Sequence, residues 1–532
     1  MPLLYNTQPL TALQAAHLLR RASFGPTRDL IKRFTNLTPA AAVSKLFADD
    51  QPVVAPPIDA ETNTVFVKEP FNDVKQGKHQ TYLKSWSLAN MINKPTAIGA
   101  SVQEKITLSE KMTLFLQNVL VSTFNTVNDS RYMYSYYSLL RTYALGNYKN
   151  LVIAMSKEPT MLRFLNGNTN TKTNPNENYA RELQELFTIG RVKPDGNANY
   201  SEADVKAAAK VLTGWVDSGY RNTTTATISS SFTLSRHDTT NKQFSSYYQN
   251  KVITGRNNNN AGDNELKDLI DMIFAQTETA KNLCRELYRW FVAADITTDI
   301  ETNIITELAT IFRTNNYEIK PVLTALFQTQ HFYDTKVVGS IVKSPIDLVV
   351  STLRYFELSP ADMNSAPADY YSFLNYVLLR TREQTQEVFS QPSVFGWTPY
   401  YDTGFYKIWI NATTLSYRNK FTDDLINGAF KVNGIPQQVN TIAEAEKVSN
   451  PADPVVLINE ITATLFAVPI TQAQKDYLID QVLIPGLPRI EWTIEWNNYK
   501  ANPTDLKIQR SVKGKLNNLF IYLLRMAEFQ MG

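Results

Sequence analysis

The sequence predicts a mainly α fold, and three observations support this prediction. Apolar residues recur with the 3.6-residue helical period through most of the chain, and several of these stretches begin with a capping pattern. Only one region alternates with the two-residue period of a strand. Hydrophobic residues make up 43% of the chain and aromatic residues 11%, which is enough for a packed core. We therefore expect a multi-helix globular protein with a small β hairpin or sheet insertion around residues 220–255.

The helix starts are visible as local patterns. Thr11 and Gln14 form a capping-box pattern, and Thr27 is a candidate cap for a second helix. Ser201 and Asp204 repeat the box before an alanine-rich helix that Gly214 is expected to end. Helical periodicity also covers residues 264–293, 301–313, 318–331, 343–357 and about 510–530.

Two regions interrupt the helical pattern. Residues 50–80 are proline-rich and are expected to form a loop over the surface. Within the Thr/Ser/Asn-rich stretch 220–262, residues 225–235 alternate at period two and predict a strand or hairpin. At 532 residues the chain exceeds the usual size of a single core. We expect a helical core over residues 1–420, which includes the 220–262 insertion, and a C-terminal helical region over residues 421–532 that packs on it.

Composition argues against several classes of protein. Charged residues are only 19% of the chain, the net charge is +3 and no Lys/Arg block occurs, so a nucleic acid is not an expected partner. No run of eighteen apolar residues predicts a membrane-spanning helix. The first residues lack the pattern of a signal peptide, so the chain is either cytoplasmic or a mature exported protein. The single cysteine, Cys284, excludes an intrachain disulfide.

The most informative stretch runs from Asn174 to Gly190. Asn174 is a candidate N-cap, Pro175 suits the first helical position and Gly190 is a candidate stop. Spacing at i, i+4, i+7 and i+8 predicts one buried stripe of four residues, Tyr179, Leu183, Leu186 and Phe187.

The opposite face of this predicted helix is rich in charge. Glu177, Arg181 and Glu185 follow at intervals of four, and Glu182 lies at the edge between the two faces. This pattern is typical of a solvated face with weak i,i+4 ion pairs. The alternative is that these side chains are the charged groups of a functional site.

A set of motifs resembles the uncharacterised bacterial family labelled domain of unknown function 1800. The resemblance implies a largely helical fold, and no established activity comes with the family. Its motifs occur in family order over nearly the whole chain, at residues 17–25, 140–147, 176–187, 204–215, 237–242, 343–349, 391–397 and 409–411.

The chain also departs from this family. Many relatives carry two histidines in the helix that corresponds to residues 112–120, where this chain has Gln117 and Val119. Only four histidines remain, and no two are close in sequence. First-row transition metals usually require imidazole or thiolate ligands, whereas carboxylates alone favour Mg²⁺ or Ca²⁺. We therefore predict no tightly bound metal and no cofactor.

Several polar residues within these motifs are candidates for a site. His237 and Asp238 could act as a ligand or base, or Asp238 could close an Asx turn beside a surface histidine. Arg20 and Arg21 could bind carboxylate or phosphate, or pair with Glu182 or Glu185. Further binding candidates are Lys242, Trp215 and Trp397. The alternative for Trp215, Trp397 and Trp409 is that they are core or interlobe anchors. His17 is expected to be a partly buried hydrogen-bonding residue.

Two classes of function stay open on these observations. The first is a non-catalytic structural or partner-binding protein, possibly part of a larger assembly, with the Tyr132–Tyr137 segment as a candidate interface and core packing as its alternative. The second is a divalent-metal-dependent hydrolase or transferase. Its candidate catalytic residues are Glu177, Arg181, Glu182, Glu185, His237 and Asp238. In either case we expect Arg181 and Glu182 to join one buried network with His237 or Asp238, or with Arg20 or Arg21.

Overall fold

A computed structural model describes residues 3–51, 53–92, 96–98, 101–103, 106–397 and 408–532. The predicted mainly α fold is confirmed. The α-helices of the first 300 residues are α1 Ala12–Ala22, α2 Arg28–Phe34, α3 Pro39–Ala48, α4 Gln76–Ile92, α5 Leu108–Val119, α6 Ser130–Tyr143, α7 Tyr148–Met155, α8 Pro159–Phe164, α9 Glu177–Glu185, α10 Glu202–Val211, α11 Ala261–Ala275, α12 Thr277–Phe291 and α13 Thr298–Ile300.

The second half of the described chain continues in the same way. Its helices are α14 Thr306–Thr314, α15 Ile319–Gln328, α16 Pro345–Tyr355, α17 Pro367–Glu383, α18 Ala412–Asn427, α19 Thr441–Glu446, α20 Pro454–Leu465, α21 Gln472–Tyr477, α22 Ile490–Ala501, α23 Leu506–Arg525 and α24 Ala527–Gln530. A π-helical turn, Glu301–Ile305, joins α13 to α14, and a second one, Leu478–Leu483, follows α21.

The strands form small antiparallel pairs. In the described residues each sheet has two strands, and the pairs are β1 Thr96–Ile98 with β2 Ser101–Gln103, β3 Trp215–Ser218 with β4 Ser229–Phe232, β5 Lys242–Gln243 with β6 Val252–Ile253, and β7 Lys431–Val432 with β8 Ile435–Pro436. The predicted strand signal at 225–235 corresponds to β4, whose partner β3 directly follows α10. In this ladder Trp215 faces Phe232.

The local helix-start patterns are confirmed at atomic detail. Thr11 accepts a hydrogen bond from the backbone N–H of Gln14 at 3.2 Å, and the Gln14 side chain accepts from the Thr11 N–H at 3.0 Å. Ser201 and Asp204 make the same reciprocal pair at the start of α10. These caps satisfy N–H groups that a helix end leaves without partners.

Two helix boundaries differ from the prediction. The N-cap of α9 is Asn176 rather than Asn174, and the helix ends at Glu185, five residues before Gly190. The side chain of Asn176 accepts from the N–H of Asn178 at 2.9 Å. Because Asn174 and Asn176 are two residues apart and both suit a cap, the sequence does not determine which of them begins the helix. The predicted single helix over 264–293 is two helices, since the backbone is extended at Gln276.

Side chains from α1 to α24 contribute to one contiguous hydrophobic core. The long C-terminal helix α23 packs against α18, and α1 contacts α20. Residue 420, the predicted limit between the core and the C-terminal region, lies inside α18. The insertion joins the same core through Phe244, Tyr248 and Ile253.

The predicted aromatic interface at Tyr132–Tyr137 belongs to the core instead. Tyr132, Tyr136 and Tyr137 are fully buried in α6, and Tyr136 donates to the carbonyl of Leu120 at 2.7 Å. Its alternative reading, core packing, is the correct one. None of the helices in the described ranges combines the length and apolarity needed to cross a membrane.

Candidate functional site

The charged face of α9 splits into an outer ion pair and two carboxylates without a basic partner. Arg181 donates to both carboxylate oxygens of Glu202, at 2.8 and 2.7 Å, and lies 3.6 Å from Glu177. The side chains of Arg181 and Glu202 are 34% and 69% exposed. This pair matches the predicted solvated face, and exposed pairs of this kind add little stability.

Glu182 and Glu185 lie on the inner side of the same helix. Burial, followed by the neighbouring charge of Glu185, raises the pKa of Glu182 to about 7. Glu185 accepts a hydrogen bond from the hydroxyl of Tyr200 at 3.1 Å. Within the described ranges no Lys, Arg or His forms an ion pair with either carboxylate. Within the described ranges the inner side of α9 therefore carries two carboxylates without an ion-pair partner, although the charge of Arg181 partly opposes the rise in the pKa of Glu182.

His237 and Lys242 belong to a separate buried group, which we call the His237 network: His237, Lys242, Glu265 and Thr213. Nε2 of His237 lies 3.2 Å from a carboxylate oxygen of Glu265, and its Nδ1 lies 3.0 Å from the carbonyl oxygen of Thr213. Lys242 donates to the other Glu265 oxygen at 2.6 Å. The side chains of His237, Lys242 and Glu265 are completely buried.

The electrostatics of the His237 network are internally balanced. Burial acts to raise the pKa of Glu265, but its contacts with His237 and Lys242 outweigh burial and leave this pKa below its usual value. The backbone N–H of Arg256 also donates to Glu265, at 2.7 Å. A buried carboxylate with this many donors holds the β5–β6 insertion against α11.

Asp238 has the structural role that its alternative reading assigned to it. Its carboxylate accepts from the N–H of Thr240 at 2.8 Å, which closes an Asx turn. His237, however, is buried rather than on the surface. No hydrogen bond or ion pair between described residues joins Arg181 or Glu182 to His237 or Asp238, so the expected network is not assembled with these two residues.

The other motif residues are also distributed over the fold. His17 is buried and its Nε2 lies 2.9 Å from the carbonyl oxygen of Phe332, as expected for a hydrogen-bonding residue. Arg20 donates to the carbonyl of Thr464 at 2.7 Å, and Arg21 donates to that of Val337 at 3.1 Å. Trp215 is buried and packs against Phe232, consistent with a core anchor.

A cleft of about 140 Å³ lies between α5, α9, α12 and the start of α16, and we call it the aromatic cleft. Helix α12 contributes Trp290, whose ring stands edge-on to Phe115 at 5.6 Å. The aromatic cleft is lined by Lys111, Phe115, Asn118, Val119, Glu185, Leu186, Asn282, Glu286, Arg289, Trp290, Ile341, Val342, Ser344, Asp347, Val394, Phe395, Trp397 and Trp409.

Two ion pairs lie in this lining. Lys111 forms a short ion pair with Asp347, and its ammonium group lies 5.9 Å from the ring centre of Trp290. Burial lowers the pKa of Lys111, while Asp347 opposes the shift. Arg289 lies 3.0 Å from Glu286, and desolvation raises the pKa of Glu286. Of the three carboxylates that line the cleft, Glu185 is the one that has no basic partner among the described residues.

Sequence reasoning identified part of this lining and missed the rest. Glu185 was a catalytic candidate, and Trp397 a binding candidate that is 94% buried yet reaches the cleft wall. Lys111, Glu286 and Arg289 lie outside the recognised motifs, on helices where a charged residue has the ordinary pattern of a surface face. Only Asp347 had a signal, because it belongs to the motif at residues 343–349.

One of the two positions at which the family resemblance implies a histidine lies in the lining of this cleft. Val119 lines it, and Gln117 on the same helix is completely buried. In the described part of the chain, neither amide atom of the Gln117 side chain has a hydrogen-bond partner. No three His, Cys, Asp or Glu residues of the described ranges are grouped so that they could hold a metal ion.

Four of the eight motifs that carry the family resemblance converge on the aromatic cleft. Residues 176–187, 343–349, 391–397 and 409–411 each contribute to its walls, although Glu185 and Trp409 are 224 residues apart in sequence. Neither the curated proteins nor the solved structures include a match to this chain. The family model described as protein of unknown function (DUF1800) matches residues 17–531. This chain therefore belongs to the DUF1800 family.

Proposed function

We propose that this protein is a non-catalytic binding protein whose aromatic cleft receives a cationic side chain of a protein partner. The observation that carries the proposal is the convergence of four separate family motifs on one cleft with tryptophan walls and an unpaired carboxylate. Tryptophan is enriched among the residues that dominate protein interfaces.

The size of the aromatic cleft limits what can occupy it. A volume of about 140 Å³ corresponds to roughly ten water positions. Such a cleft accommodates one extended side chain, not a folded element. The partner is therefore expected to present a protruding residue from a loop, a chain terminus or a second copy of this protein.

The charge of the lining favours a cation. Lys111 is paired with Asp347 and Arg289 with Glu286, which leaves the charge of Glu185 for an incoming group. Aromatic faces attract an ammonium or guanidinium group by several tenths to about 2 kcal/mol when the site is desolvated. A lysine or arginine side chain satisfies both the carboxylate and the rings.

The alternative, a divalent-metal-dependent hydrolase or transferase, has less support. Its candidate residues do not form one cluster, because Arg181 and Glu177 lie in the outer ion pair while His237 lies in a closed network. All four histidines contact groups outside the aromatic cleft. Binding therefore fits the geometry better than proton or metal chemistry at this cleft.

The test measures the binding of short acetylated and amidated peptides by tryptophan fluorescence, since three tryptophans line the cleft. Peptides with a central Arg or Lys should bind in preference to the same peptides with Gln or Glu. The substitution Glu185→Gln should weaken binding of the basic peptides about tenfold, the typical effect of losing a charge-assisted contact. Glu202→Gln is the matched control, because Glu202 begins α10 and pairs with Arg181 on the outer face of α9, and it should leave binding unchanged.

Two results would contradict this function. One is equal binding of basic and acidic peptides. The other is a Glu185→Gln variant that binds basic peptides as tightly as the unmodified protein.

A further inference from the structure

Behind the aromatic cleft lies a second, smaller cavity, which we call the cationic chamber. It has a volume of about 40 Å³ and shares Lys111, Trp290, Ile341 and Asp347 with the wall of the cleft. Its other lining residues are Arg20, Arg21, Gly25, Lys343, Ser351 and Gly532.

The chamber concentrates positive charge inside the protein. Arg20 is 8% exposed, Arg21 4%, Lys111 5% and Lys343 9%. Asp347 is the one acidic side chain in the described lining, and it is already paired with Lys111. A terminal carboxylate at Gly532 would still leave the positive charges in excess. Buried charges without counter-charge are costly, so this arrangement calls for an anion.

Arg20 and Lys343 have no carboxylate partner within the described ranges. Arg20 donates through Nη2 to the carbonyl of Thr464, while its Nη1 is buried without a hydrogen-bond acceptor among the described residues. Lys343 donates to the carbonyl of Phe529 at 2.8 Å, and its ammonium group lies 4.2 Å from the ring centre of Phe529. The hydrogen-bond acceptors that these two cations contact in this part of the chain are therefore neutral oxygens.

The pKa values of Arg20 and Lys343 reflect the same excess of positive charge in the chamber. Burial lowers the pKa of Arg20 to about 10. Burial, followed by the charge of Arg20, lowers the pKa of Lys343 to about 7, with Arg418 acting in the same direction and Asp347 opposing it. Both shifts are the response of cations that have lost water without gaining a counter-ion.

We propose that the cationic chamber is a binding site for a tetrahedral oxyanion, phosphate or the phosphate group of a larger ligand, held by Arg20 and Lys343. The volume corresponds to roughly three water positions, which suits one such group. Guanidinium and ammonium groups are the usual protein donors to phosphate. This site does not rest on the proposed function, because it involves different charges and would hold an anion whether or not the cleft receives a cation.

The experiment titrates inorganic phosphate into the full chain, in a buffer free of multivalent anions, and follows heat of binding and melting temperature. We expect one phosphate per chain and a rise in the melting temperature with phosphate concentration. Arg20→Gln should weaken phosphate binding tenfold or more. Arg525→Gln, which alters a surface ion pair with Asp423, is the matched control and should bind phosphate normally.

A second variant keeps the test informative if Arg20→Gln fails to fold. Lys343→Met removes one uncompensated charge at similar size, so it should raise the melting temperature without phosphate and reduce the stabilisation that phosphate produces. The proposal is overturned if the unmodified protein binds no phosphate at tens of millimolar, or if Lys343→Met lowers the melting temperature and retains the full phosphate effect.

Phenyl phosphate distinguishes the two sources of the anion. Tighter binding of phenyl phosphate than of inorganic phosphate, lost in Arg20→Gln, supports a phosphate group on a larger ligand whose body extends into the aromatic cleft. Tighter binding of inorganic phosphate, with the same loss, supports the free ion. Phenol serves as the neutral comparison, and phenol binding as tight as that of phenyl phosphate would contradict the site.

Discussion

The His237 network and the aromatic cleft are built from similar residues but differ in whether their carboxylate has a charged partner. Both contain family-motif side chains, a buried lysine and a carboxylate. In the His237 network, Glu265 accepts hydrogen bonds from Lys242 and from the backbone N–H of Arg256, and Nε2 of His237 lies 3.2 Å from it. The charge of Glu265 is therefore compensated within the protein. At the cleft, the one hydrogen bond that Glu185 accepts among the described residues comes from the hydroxyl of Tyr200. Polar motif residues can therefore be structural in one region and available for binding in another.

The strongest test of this comparison removes one member of the closed network. Lys242→Met should lower the free energy of unfolding by about 3–5 kcal/mol, because it leaves Glu265 as an uncompensated buried charge. Denaturant unfolding of the variant and the unmodified protein measures the difference. The double variant Lys242→Met, Glu265→Gln should recover much of the loss, and equal destabilisation by the single and double variants would show that the charge pair is not the cause.

A smaller effect is expected from the raised pKa of Glu182, beside the cleft. Because the pKa of Glu182 is about 7 in the folded protein and its ordinary value is 4.5, the folded state binds this proton more tightly than the unfolded chain. The stabilisation of the folded state by protonated Glu182 is fully present below pH 4.5 and is lost as the pH rises towards 7.

Glu182→Gln should therefore reduce the fall in stability between pH 4.5 and 7 relative to the unmodified protein. Urea unfolding at a series of pH values measures how the free energy of unfolding of each protein depends on pH. The difference between the two pH dependences gives the effect of Glu182 separately from that of the other carboxyl groups. Identical slopes would mean that Glu182 is not perturbed in the folded state. Glu202→Gln, which alters the exposed partner of Arg181 at the start of α10, is the control.

The smallest effect is expected at the outer ion pair. Arg181→Ala should change the free energy of unfolding by less than about 1 kcal/mol, since Glu202 is mostly exposed and water replaces the lost contact. Thermal unfolding at low and high salt measures this, and the difference should diminish with salt. A loss as large as that of Lys242→Met would remove the distinction between exposed and closed charge clusters.

The sequence by itself was sufficient for features that depend on neighbours a few residues apart. The capping boxes at Thr11 and Ser201 and the Asx turn at Asp238 involve partners two or three positions away, so their geometry follows from local chain stereochemistry. The mainly α class followed in the same way, because the period of apolar residues reports which face of a helix is buried.

Only the tertiary structure decided what each buried or charged face contacts. Periodicity cannot show that Lys111 meets Asp347, which lies 236 residues away, or that Lys242 meets Glu265 rather than a ligand. The predicted single cluster of Arg181, Glu182 and His237 failed for this reason, since charge pattern does not determine partner. Compensation of a buried charge depends on which atoms lie within hydrogen-bond distance, and long-range packing alone sets that distance.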